Sequence, residues 1–297
     1  MNTTNRGFAW GVLGVLIFAM TLPMTRLAVG PAADPQLTPA FVTAGRAALA
    51  GLLSVIYLLA VRSSWPARRH WPALAVSALG TVVGFPMCLA LALRQVDATH
   101  AAVVTGLMPM ATAVIGALVL RQRPSLGFWG CALAGFVLVL CFAAWQGGGV
   151  LSVGDGWLLL AVLFTGIGYV AGAKVAAEMP APQVICWVLV MSLPLTLPAA
   201  LWFWPTAPAR LSSWGGFLYV SLFSMWLGFF AWYRGLALGG LVRVSQVQLV
   251  QPFLAMLFAV PILGERLDFL TVVFALAVIG VVFLGKRMPV ARTVGAD

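Results

Sequence analysis

The sequence predicts an all-α polytopic membrane protein: ten transmembrane helices forming two inverted repeats of five. Three observations predict it. First, the 297 residues are 62% hydrophobic and 8% charged, with a mean hydropathy of +1.04. A soluble domain carries roughly 25% charged residues, so this chain has too little polar surface to cover itself in water. Second, its apolar residues form ten runs near the length of about 20 that lets a helix cross a bilayer. Third, the two halves of the chain align with each other.

The runs are bounded by Pro, Gly and charge, and lie at 7–29, 37–61, 72–93, 98–120, 125–145, 155–176, 181–203, 214–237, 242–263 and 268–286. Their length fits helices, because a barrel strand needs only about 9–11 alternating residues. They use up the chain and leave no room for a soluble domain. Span 1 is longer than the roughly 7–15 apolar residues of a signal-peptide core, and it has a partner later in the chain, so it reads as a retained helix. It carries Thr21 and Thr25 on either side of Pro23. Span 2 carries Arg46. The longest connection comes next, Arg62 to Trp71, with Arg68, Arg69 and His70. Span 4 contains Pro109 and span 9 contains Pro252. Span 6 carries Tyr169, with Gly168 and Gly172 four residues apart, a spacing that favours close helix packing or a hinge. Trp65, Trp71, Trp145, Trp202, Trp204 and Trp214 gather near span ends, as an interfacial aromatic belt does.

Basic residues set the orientation. With the N-terminus inside, the cytoplasmic side holds Arg6, Arg62, Arg68, Arg69, Arg121, Arg123, Lys174, Arg234, Arg243, Lys286, Arg287 and Arg292. The opposite side holds only Arg26, Arg94, Arg210 and Arg266. That imbalance predicts a multi-pass protein of the cytoplasmic membrane with both termini inside. It also accounts for the net charge of +10 without nucleic acid, for which no basic cluster with interleaved aromatics is present.

A shift of 143 positions lays Pro109 on Pro252, and His100–Arg123 over Arg243–Arg266 without a gap. A shift of 148 lays Thr21 on Tyr169 and Arg26 on Lys174. The repeats are expected at 1–148 and 149–297. Five spans per half force the second half upside down relative to the first. Inverted repeats related by a twofold axis in the membrane plane are a transporter architecture, with the substrate site near the midplane.

The segment Gln248-Leu249-Val250-Gln251-Pro252, then ten apolar residues and Leu263-Gly264-Glu265-Arg266-Leu267, resembles the EamA-type transporters of the drug/metabolite transporter superfamily. The two-repeat plan resembles them over nearly the whole chain. One position departs: where the second half has Gly264-Glu265, the first has Arg121-Gln122. The resemblance implies secondary transport, often export, of small metabolites. It also implies a role for Glu265, in closing the outer face.

Polar groups inside a membrane are costly and point inward by default. Arg46 is the deepest, roughly 13 Å along span 2 at 1.5 Å per residue. It is a candidate counter-ion for a substrate carboxylate or phosphate; a structural bond to helix carbonyls is the alternative. Gln248 and Gln251 share a face of span 9 beside Pro252, and their repeat partners are Thr105 and Met108 beside Pro109. Two proline-broken helices meeting on the pseudo-twofold are the expected form of a transporter site. Trp226, Phe230 and Tyr233 make an aromatic stripe on span 8, which either packs or lines the cavity with Tyr169. Pro23, Pro109, Pro252 and Glu265 are the candidate hinge and gate positions.

The acids Asp34, Asp97, Asp155, Glu178, Glu265, Asp268 and Asp297 all fall at span ends, in loops or at the terminus. No carboxylate is therefore placed mid-span for ion coupling. Cys88, Cys131, Cys141 and Cys186 lie in apolar runs with no metal spacing, so no metal or other cofactor is expected. No GxxxxGK[ST], HExxH or GxSxG motif occurs, which argues against a nucleotide-driven pump or a membrane hydrolase. The expected partners are a small-molecule substrate and the lipid bilayer, with a homodimer as an open alternative. The rival readings are a membrane enzyme and an assembly protein without transport activity.

Overall fold

The computed structural model describes residues 3–119, 121, 123–176, 178–239, 246–288 and 290–291. Among them, ten helical spans succeed one another. TM1 is Thr3–Ala19 continuing, after a turn at Met20, as Thr21–Val29. TM2 is Pro39–Ala60. TM3 runs through Trp71–Ser77, Ala78–Gly84 and Phe85–Ala92, and TM4 through Ala98–Thr105 and Met108–Val119. TM5 is Leu126–Gln146, TM6 Val153–Ala176 and TM7 Ala181–Trp202. TM8 joins Leu211–Tyr219, Val220–Leu227 and Gly228–Gly239; TM9 joins Gln246–Val250 and Gln251–Leu263; TM10 is Phe269–Arg287. By length and composition, eight spans cross a membrane outright and the last two are shorter apolar helices, Val247–Leu263 and Phe269–Gly285.

Local chemistry sets the ends. Thr38 Oγ1 accepts from the Phe41 amide and opens TM2. Ser125 Oγ accepts from Phe128 for TM5, and Asp268 accepts from Thr271 for TM10. Each side-chain acceptor satisfies an amide that the helix itself leaves unpaired. Gly264, at φ 71°, closes TM9 in the left-handed conformation that glycine adopts freely. Leu133, Phe136 and Val137 of TM5 stand exposed, as apolar side chains facing lipid do.

The packing carries the repeat. TM1 packs on TM8 as TM6 packs on TM3, and TM4 on TM6 as TM9 on TM1. TM2–TM7, TM4–TM9 and TM5–TM10 pair across the axis. Exchanging every helix for the one five places later leaves this set unchanged. An inverted repeat requires that, and unrelated bundles would not show it. TM3 and TM6 approach closely: a Cβ on Gly80 would stand 2.5 Å from the Phe164 carbonyl oxygen, and one on Gly168 2.7 Å from Thr81 Cγ2. Gly172 faces Ser77, so the glycine pair of TM6 serves a helix crossing.

Three irregularities lie near the middle of the bundle. TM4 is interrupted at Gly106-Leu107 just before Pro109, and the described part of TM9 begins with a 3₁₀ turn, Gln246–Val250, just before Pro252. Ala78–Gly84 of TM3 and Val220–Leu227 of TM8 are both π-helical, and a shift of 143 nearly superposes them. TM1 turns at Met20, before Pro23, while its repeat partner TM6 runs unbroken.

Candidate functional site

TM1, TM2, TM3, TM4, TM6, TM8, TM9 and TM10 enclose a cavity of about 340 Å³. That is within the roughly 300–1,000 Å³ range of small-molecule sites. The two interrupted helices cross at its wall, with Thr105, Met108 and Pro109 on one side and Gln248, Gln251 and Pro252 on the other. Gln248, in the 3₁₀ turn, and Gln251, the first residue of the α-helix that follows, both face inward. Neither amide hydrogen-bonds elsewhere among the described residues. Thr21 and Tyr169 complete the polar lining with Thr81, Thr112 and Thr165; Phe85, Leu89, Met225 and Phe229 are among the apolar walls.

Arg46 enters from TM2 with a relative exposure of 2%. Its Nη2 donates to Ser224 Oγ at 3.1 Å, and Ser224 shares a 2.8 Å hydrogen bond with Thr21 Oγ1. Among the described residues, Arg46 Nε and Nη1 have no partner, and the guanidinium donates to no helix carbonyl. The cavity threonines differ from it: Thr81, Thr105, Thr112 and Thr165 each donate to the carbonyl one turn back.

Two of the aromatic stripe residues stand elsewhere. Trp226 and Phe230 do not line the cavity; they meet each other edge-on, and Phe230 meets Tyr57 edge-on as well. Met225 and Phe229 take the inward positions instead. They keep the same spacing of four, one position earlier, and Val220–Leu227, which includes Met225, is π-helical. Its i→i+5 bonding puts an extra residue in the turn and rotates the rest of the helix relative to an α-helical count. The side chain of Tyr233 lies outside the described residues. Ser224 was missed from sequence, although the shift of 143 that pairs the prolines also pairs it with Thr81.

The ends of the bundle differ in their bonding. At the end that carries Asp97, Glu265 reaches from the tip of TM9 to TM4 and accepts from the amides of Ala98 and Thr99, both at 2.8 Å. Arg26 of TM1 bonds Asp97 and the carbonyls of Leu93 and Val96. His100 of TM4 meets Asp155 of TM6 at 2.6 Å, both buried, and Asp155 also accepts from Ser152. Arg210 pairs with Asp34. Pro23 lies buried in TM1 between this end and the cavity. At the opposite end, Arg69 and His70 meet Glu178, and a two-residue strand pair joins Arg123-Pro124 to Val290-Ala291. Among the described residues, no group of His, Cys, Asp and Glu side chains is arranged to hold a metal ion.

With this geometry established, the comparisons with known proteins bear on the whole chain. The model of the EamA-like transporter family matches twice, over residues 5–144 and 152–285. The chain belongs to the EamA-like transporter family. It is therefore a multi-pass membrane transporter and not an enzyme, and the two matches mark a duplicated unit. The uncharacterized transporter YdeK of Bacillus subtilis (strain 168) is 45% identical over 293 residues, covering 97% of this chain and 99% of its own. A solved crystal structure superposes with a TM-score of 0.63 at 19% identity, over 95% of this chain and 98% of that one. That likeness speaks for the fold alone.

Proposed function

We propose that this protein is a secondary transporter that exports a small organic solute across the cytoplasmic membrane by alternating access around the central cavity. The single observation that carries the reading is the cavity wall. Two proline-broken helices, TM4 and TM9, meet there across the pseudo-twofold and present Gln248, Gln251 and Thr105 to one enclosed space. Thr21, Arg46, Met108 and Tyr169 share in holding the solute. The breaks before Pro109 and Pro252, and the turn before Pro23, serve as hinges, and Glu265 as part of the gate. The repeats divide between residues 148 and 149, in the turn that joins TM5 to TM6.

The basic residues support cytoplasmic termini, which makes the Asp97 end the outer one. On that assignment the bonds of Glu265, Arg26 and His100 close the outside. Gln248, at the inner start of TM9, carries the cavity toward the cytoplasm. The conformation is then closed outward, the state in which an exporter collects its cargo.

Proteoliposomes test the reading. Counterflow of a labelled solute, found by screening metabolites that accumulate when the protein is deleted, is the expected result. Chemical turnover without translocation would instead identify an enzyme. Absence of counterflow for every candidate solute from a correctly inserted protein would leave an assembly role. Reporter fusions in the Arg68 loop and at Asp297 should both read inside; a fusion at Asp297 that reads outside would overturn the orientation.

A further inference from the structure

The cavity contains a cation and no counter-charge. Arg46 is 2% exposed, and among the described residues its Nε and Nη1 lack partners. The other arginines described with acidic partners, Arg26, Arg69 and Arg210, pair with Asp97, Glu178 and Asp34 at the bundle ends. No Asp or Glu lines the cavity among the described residues. A buried charge is costly unless it is paired and hydrogen-bonded. Here a missing partner has a place to stand, because Arg46 is part of the cavity lining.

The surrounding hydroxyls are ordered around this cation. Arg46 donates to Ser224, and Ser224 shares a 2.8 Å hydrogen bond with Thr21 in which either hydroxyl can donate. With Ser224 as the donor, the proton of Thr21, itself in the lining, is left for a ligand. Guanidinium and hydroxyl donors thus converge, as recognition of a carboxylate or phosphate requires. Phe85, Leu89, Met225 and Phe229 add apolar surface to the same lining, which suits the rest of such a solute. The repeat does not duplicate the charge: the corresponding stretch of TM7, residues 189–194, is Leu-Val-Met-Ser-Leu-Pro. The site is one-sided and suits one acidic group.

Resting on the transporter reading above, we infer that the solute is an organic anion, a single carboxylate or phosphate on a small apolar body, whose acid group is taken by Arg46 and Thr21. The test uses matched probes on the purified full-length protein: phenylacetate, phenylacetamide, phenyl phosphate and phenethylammonium, with binding read by tryptophan fluorescence. One of the two anions should bind roughly 10- to 100-fold tighter than the amide, the factor expected for a charge-assisted bond made in one ligand and absent from the other. Which anion binds better distinguishes carboxylate from phosphate. The ammonium should not compete. Arg46→Gln should collapse the preference, and Arg46→Lys should retain most of it. The wild-type comparison needs no variant, so it stands even where Arg46→Gln fails to fold. Equal affinity for anions and amide, survival of the preference in Arg46→Gln, or no binding of either anion at millimolar concentration would overturn the proposal. Counterflow of a neutral solute alongside equal probe affinities would sink the anion and leave the transporter. Loss of counterflow for every solute would sink the transporter reading itself.

Discussion

Replacing Glu265 by Gln should loosen the outer end of TM4. In the structure both carboxylate oxygens are used, one on the Ala98 amide and one on the Thr99 amide. These are the first amides of TM4, which have no partner within the helix. Glutamine has a single acceptor oxygen; its NH₂ would face the second amide donor to donor. One charge-assisted bond is lost, worth about 1.5–3 kcal/mol, and so is the attraction of a negative charge for a helix N-terminus, worth about 0.3–1 kcal/mol. Glu265 is half-buried, so we take the low end, about 2 kcal/mol, which corresponds to roughly a 30-fold shift in an equilibrium. The assay is a cysteine at Thr105, in the cavity, in a background without Cys88, Cys131, Cys141 and Cys186. A membrane-impermeant thiol reagent applied outside should modify it roughly 10- to 30-fold faster in Glu265→Gln, by the same arithmetic. Transport should fall while membrane abundance holds. Unchanged labelling with unchanged flux would refute the argument and reduce Glu265 to an ordinary helix end.

Other perturbations act on other parts of the molecule. Gln251→Leu should weaken solute binding by roughly 5- to 150-fold, the cost of one lost partner in a buried hydrogen bond, and solute should protect cysteines at 248 and 251 from a water-soluble reagent. Leucine at Gln246 is the comparison, and an equal loss there would count against the assigned face. Gly168→Leu should lower the thermal midpoint in detergent sharply, because its Cβ alone would stand 3.0 Å from the Thr81 amide nitrogen; an unchanged midpoint would show that TM3 and TM6 separate freely. At the opposite end, the hydrogen bond from His70, with the charge of Arg69, holds the Glu178 carboxyl below its usual 4.5. A depressed carboxylate stabilises the fold above its free value and stops doing so as pH falls through the lowered one. The stability difference between wild type and Glu178→Gln should therefore be present at neutral pH and vanish in acid. A difference that persists at low pH would contradict the ion pair.

The spans were legible because lipid leaves an unambiguous mark: a run of about 20 apolar residues has little else to be. The interruptions of TM4 and TM9 were legible through Pro109 and Pro252, which a single shift superposes. Arg46 was legible because a charge in such a run is rare. The partners of these groups were not. Ser224 is one serine in an apolar helix, and nothing in its neighbours announces that it lies between Arg46 and Thr21. Glu265 stood out at the end of span 9, but its contact with TM4 joins residues 167 positions apart. The aromatic stripe was off by one position. It was drawn through Trp226 and Phe230 because they are aromatic, whereas Met225 and Phe229, with the same spacing of four one position earlier, take the inward face.

The matched π segments of TM3 and TM8 have a mechanical consequence. A π turn stores one residue more than an α turn, so relaxing it to α would screw the rest of the helix round by about 100°, one residue's rotation. In TM8 that turn is the angular distance between Met225 and Trp226, and between Phe229 and Phe230. The two sets, one inside the cavity and one packed against Tyr57, are adjacent settings of a single rotor. TM3 carries the companion rotor at Ala78–Gly84, inverted and next to Thr81. On the transporter reading proposed above, relaxing either segment would exchange part of the cavity lining by rolling a helix about its own axis, a motion that would act alongside the hinges at the proline breaks.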